Sequence, residues 1–261
     1  MWKVFGIVVL LAVSIGFLVA QEGLDFEGNT TDFKRLAPQT VQNADFTFVR
    51  LMYNGRIPHY LKNWYTDYPT GDVNLARVLC RVTDIDIAPE TRVVPIHDST
   101  LFQYPMIYSS EAGQMVLDNA DAATLREYLT RGGFWMVDDF WGTFEWSNFE
   151  HQMKKIFPDR EIVDIPLTHP IFHIFYDIDN KMQVPNVGYA YNPGTPTWEQ
   201  DGHVPYVRGI MDSNGRLLVF INHNTDLMDA LEWADEPLYP HKFSVYAYKI
   251  FSNAIVYALS H

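Results

Sequence analysis

Asp118-Asn-Ala-Asp-Ala-Ala-Thr-Leu-Arg-Glu-Tyr-Leu-Thr-Arg-Gly-Gly-Phe-Trp-Met-Val-Asp-Asp139 decides the fold. Asp118 is a good helix N-cap, and Leu125, Tyr128 and Leu129 form one apolar stripe. Gly132-Gly133 stops the helix, and Phe134–Val137 follows as a short, wholly apolar strand. A helix feeding a buried strand through a tight glycine turn is one unit of an α/β sheet with helices on both faces. The same alternation extends both ways. Phe46–Tyr53 reads as a buried strand closed by Asn54-Gly55, and residues 72–83 as a helix with Leu75, Val78, Leu79 and Val82 on one face. Residues 91–96 and 105–110 read as further strands. Residues 145–157 read as a helix, and 161–165 as a strand. Residues 180–208, rich in Pro, Gly, Asn and Tyr, predict an ordered excursion. A β-hairpin turning on Asp212–Gly215 and a helix over 240–259 complete the chain.

The chain has 261 residues, 48% hydrophobic and 15% aromatic, with a formal charge of −13. That composition suits one large domain with a substantial core and excludes a disordered protein. The acidic balance argues against nucleic acid and against docking on anionic lipid. A single cysteine, Cys80, excludes an internal disulfide or a multi-cysteine zinc site. Its place beside the apolar stripe of the first helix predicts a small core hydrophobe. Residues 1–20 read as a secretory signal peptide, with Lys3 before an uncharged run to Ala20. An uncleaved anchor through residues 4–20 is the competing reading, and either expectation places the folded part in the periplasm or outside the cell. Residues 21–44 read as a polar spacer before a domain over 45–261.

In open α/β sheets ligands sit beyond the carboxyl ends of the strands. Those ends carry Ser109-Ser110-Glu111, Asp138-Asp139 with Trp141 beyond, and Asn222-His223-Asn224-Thr225-Asp226. Asp138, Asp139, Trp141, Asn222, His223, Asn224 and Asp226 are therefore the candidate ligand-binding rim, with Trp64, Asp67 and Trp233 lining it. Acids and amides would hydrogen-bond a small molecule, glycan or peptide, and indoles would stack on it. The alternative is a zinc or manganese hydrolase acting on envelope glycans or peptides, drawing ligands from His169, His173, His223 and Asp139. Against it, Pro170 takes His169 out of helical spacing with His173. The plainer roles are a turn cap for His169, a core position for His173 and a helix cap for Asp139.

Six motifs in order resemble one bacterial family, domain of unknown function 4159. They are Trp64–Pro69, Gly132–Phe134 with Asp138–Gly142, His169–His173, Gln183–Asn186, Asn222–Asp226 and Glu232–Asp235. The resemblance covers residues 45–261. It implies a flavodoxin-like, class I glutamine-amidotransferase-like sandwich with a mostly parallel sheet, and encoding beside MoxR-type ATPases and von Willebrand-type membrane proteins. It carries no established activity. A glutaminase needs a thiolate on a strand-to-helix elbow. The candidate elbow, Tyr108–Gly113, has no cysteine, and Ala112 stands where relatives often carry histidine. The combined expectation is a non-enzymatic ligand-binding or assembly domain of an envelope system, without a cofactor.

Overall fold

A computed structural model of the protein describes residues 44–56 and 63–261. The expected signal segment and nearly all of the spacer lie outside the described residues.

The strands of the main sheet are β1 (Val49–Met52), β3 (Arg92–Pro95), β4 (Met106–Ser109), β6 (Phe134–Val137), β7 (Val163–Asp164), β8 (Tyr206–Met211) and β9 (Leu217–His223). Their order is β3-β1-β4-β6-β9-β8-β7. The first five run parallel, and β8 and β7 add antiparallel at one edge. The order reverses between β1 and β4, where a parallel sheet opens a crevice at its carboxyl edge. Asn54-Gly55 is more than a strand end. It forms a two-residue strand, β2, paired antiparallel with β5 (Met115–Val116).

Helices cover both faces because right-handed crossovers leaving the middle of a sheet in opposite directions must lie on opposite sides. Helix α1 (Thr70–Val82) joins β1 to β3 and packs with the C-terminal α6 (His241–Ser260). On that face the rings of Phe48 and Tyr108 meet Phe251, and Phe134 meets Tyr257 at 5.5 Å. Helices α2 (Asn119–Thr130) and α3 (Gly142–Ile156) pack together on the other face. Two short helices, α4 (Gly188–Tyr191) and α5 (Asp229–Glu232), sit in the C-terminal loops.

The deciding stretch folds as its residues predict. The Asp118 carboxylate accepts from the Ala120 and Asp121 amides, and Asp121 returns the bond to the Asp118 amide, a complete capping box. Gly132 has φ +118°, and a Cβ on Gly133 would lie 2.4 Å from the Tyr128 ring. The pair thus turns the chain and lets Tyr128 close over it. Cys80 departs from expectation. It lies on the exposed side of α1, because Leu75, Ala76 and Leu79 supply the buried stripe instead.

Candidate functional site

Strand register brings the polar turns together. Ser109 pairs with Val137, and Val137 with Ile221, so Ser110-Glu111, Asp138-Asp139 and Asn222-His223 leave the sheet side by side. The turns are then cross-bonded. Asp139 N donates to Thr225 O at 3.0 Å, and Asn224 N to Phe140 O at 3.0 Å. The Tyr53 hydroxyl at the end of β1 donates to the carbonyls of Ser110 and Glu111. Asp67, Glu111, Asp139 and Asn224 all have left-handed backbones, with φ between 53° and 65°. Four non-glycine residues in that region at one end of a sheet mark a site held in place by its surroundings.

Three carboxylates converge there. Oxygens of Asp67, before α1, Asp139, after β6, and Asp226, after β9, lie within 4.8 Å of one another. Asp67, Asp229 and Glu232 form a second group of the same closeness. Burial, reinforced by neighbouring acids, pushes the Asp67 and Asp226 carboxyls well above the ordinary range. Burial likewise lifts Asp229 to about 7, against the pull of the Val187 amide.

The support for this cluster includes residues that the motif reading overlooked. Arg50, in the middle of β1, is wholly buried and ion-paired with Asp72 of α1 at 2.7 Å. It also donates to the carbonyls of Trp64 and Thr66, which fixes the segment leading into Asp67. One arginine within an otherwise apolar buried strand is the signal that marks it, since such a residue is buried only when paired. Glu145 of α3 accepts from the Trp141 amide and from the side chains of Gln114 and Gln200.

Several rim candidates are part of the framework. Asp138 is fully buried, accepting from the Tyr108 hydroxyl and, at 2.8 Å, from the Leu227 amide. Burial lifts it to about 7. It anchors the loop that carries Asp226 and has no path to a ligand. Trp141 and Trp64 are buried and cannot serve as stacking platforms; the Trp141 indole instead donates to Asp139 at 3.1 Å. Asn222 and Asn224 are also buried. Asn224 caps α3 by accepting from Gly142 N at 2.8 Å, so the helix cap is Asn224, together with Asp201 on Thr143 N, rather than Asp139. The 180–208 excursion seals this side. Val184 bonds both Thr225 and Asp226, and Gln183 bonds the carbonyls of Gly202 and Asn224. Asp67, Glu232 and Trp233 stay half-buried, so the cluster reaches solvent at that end.

The histidine set does not assemble. His169 caps the short turn at Ile171, and His173, exposed rather than core, pairs with Asp177 at 2.9 Å. His223 is buried against Phe140 and Trp146, with Nε2 facing Gly142 O at 3.2 Å. Burial pushes its pKa down to about 4, so it is a neutral structural imidazole.

The family described as Domain of unknown function (DUF4159) matches residues 47–259, nearly the whole described region. The chain belongs to that family. No curated protein matches it. Four of the six motifs supply the carboxylate cluster: Trp64–Pro69 holds Asp67, Asp138–Gly142 holds Asp139, Asn222–Asp226 ends at Asp226, and Glu232–Asp235 starts at Glu232. Among the described residues no helix is long and apolar enough to cross a membrane.

Proposed function

We propose that this DUF4159 chain is an exported, flavodoxin-like domain of the amidotransferase-like class, and that it binds its ligand through a divalent cation. Asp67, Asp139 and Asp226 would hold the cation. One observation carries the reading: three carboxylate oxygens from three separate segments meet within 4.8 Å where the strand order reverses. An all-oxygen set suits Mg²⁺, Ca²⁺ or Mn²⁺ better than zinc, which favours nitrogen and sulfur. The cation also gives a strongly acidic protein a way to recruit an anionic ligand, because it inverts the local field. Residues 1–20 carry the export part of the reading, and the envelope-assembly role follows from the family resemblance.

Glutaminase chemistry has no support. The turn after β4 carries Ser110 and Glu111, and the lone thiol is on the outside of α1. A hydrolase acting on envelope glycans or peptides is the second reading, favoured by the same cluster, since a cation-bound water is a ready nucleophile. Calorimetric titration of the purified chain with Mn²⁺ tests the first. Saturable binding that weakens at least about tenfold in Asp226→Asn is expected. Absence of saturable binding by Mn²⁺, Mg²⁺ and Ca²⁺ overturns it. Cation-dependent turnover of peptide or glycan substrates would replace binding with hydrolysis.

A further inference from the structure

The carboxylate cluster continues past the triad toward solvent. Asp67 belongs to both close groups, the one with Asp139 and Asp226 and the one with Asp229 and Glu232. We infer that the site is binuclear: a second hard divalent cation lies between Asp67, Asp229 and Glu232, and the Asp67 carboxylate bridges the two ions. This deepens the cation-binding reading and rests on it.

An independent observation singles out the bridge. Although Asp67 is only half-buried as a residue, its Oδ2 is buried and has no hydrogen-bond partner. A buried carboxyl oxygen without a partner has lost its hydration with nothing in return, a cost that a cation facing it would offset. Protein cations do not serve: among the described residues Asp67, Asp229 and Glu232 make no ion pair with Lys, Arg or His. Arg50, whose charge acts on Asp67, is ion-paired with Asp72. Asp67, Asp139, Asp226, Asp229 and Glu232 bring five carboxyl groups to this place, more than a single divalent ion would offset. The geometry is that of paired-metal centres, where one carboxylate spans ions a few ångströms apart and both face an oxygen-rich, anionic ligand. The sealed triad would hold the inner ion. The half-buried end at Glu232 and Trp233 would hold the outer one and admit the ligand.

Mn²⁺ alone is the probe, with calorimetry for stoichiometry and electron paramagnetic resonance for coupling between ions. The wild-type chain is expected to bind two Mn²⁺ and give a spin-coupled pair. Glu232→Gln, a half-buried neutral isostere, should retain one Mn²⁺ and lose the coupled signal. Asp67→Asn should lose the pair and weaken the remaining ion at least about tenfold. Circular dichroism and a thermal melt establish that each variant is folded. One Mn²⁺ in the wild type, unchanged in Glu232→Gln, overturns the binuclear site and leaves the triad standing. No Mn²⁺ in the wild type overturns both and means that shared protons hold the cluster together.

Discussion

Replacing Asp138 separates a framework acid from a ligand-binding one. Its carboxyl lies in the wholly buried interior, takes bonds from the Tyr108 hydroxyl and the Leu227 amide, and titrates near 7 in the folded chain. An unfolded aspartate titrates near 3.9, so the gap is about three pH units, or on the order of 4 kcal/mol. The direction follows from proton binding. Between about pH 4 and pH 7 the folded state holds this proton and the unfolded state does not. The stabilisation is therefore complete below pH 4 and is lost as pH rises through 7. Asp138→Asn removes the titration but keeps the shape, with its amide toward the rotatable Tyr108 hydroxyl. The stability of Asp138→Asn relative to wild type should therefore rise by roughly 4 kcal/mol from pH 4 to pH 8. Asp138→Ala should lose about 2–6 kcal/mol at pH 5, since it strands two buried donors at about 1–3 kcal/mol each. Urea unfolding at fixed pH, with chelator present, reads both. A difference between Asn and wild type that stays level from pH 4 to pH 8 would refute the account, as would an Ala variant within about 1 kcal/mol of wild type.

Two other perturbations test the supports of the site. Asp72→Asn leaves the Arg50 guanidinium buried without its counter-charge, and should lower stability by about 3–5 kcal/mol in urea melts and weaken Mn²⁺ binding by loosening the segment before Asp67. In a ring-proton NMR titration, His223 should show a midpoint near 4. Because its folded pKa lies below the unfolded value, this histidine supports the fold above about pH 6.5 and withdraws that support as pH falls toward 4. A midpoint at 6 or above would mean the ring is not enclosed by Phe140 and Trp146.

The alternation of strands and helices was legible because each element carries its own short-range signal. Asp118, the Leu125–Leu129 stripe and Gly132-Gly133 decide a helix within sixteen residues, and the Asp212–Gly215 turn decides a hairpin. The strand-end rule also located Asp139 and Asp226 correctly at one end of the sheet, since parallel strands share a direction. It failed on which side chains face the crevice. Trp141, Asn222, His223 and Asp226 are all buried, and no local property of the chain separates those that join the carboxylate cluster from those that do not. Gln183 and Val184, some forty residues earlier, bond Asn224 and Thr225, and Phe140 and Trp146 enclose His223.

By itself, then, the chain's order of residues determined a layered α/β domain with its polar turns gathered at the carboxyl edge, because backbone direction and apolar periodicity are local quantities. Only the tertiary structure decided that Asp138 is an anchor, that Arg50 orders the loop before Asp67, and that Asp67, Asp139, Asp226, Asp229 and Glu232 form one cluster. Contacts between residues up to 165 positions apart depend on strand order and loop packing, and no short stretch of sequence encodes either.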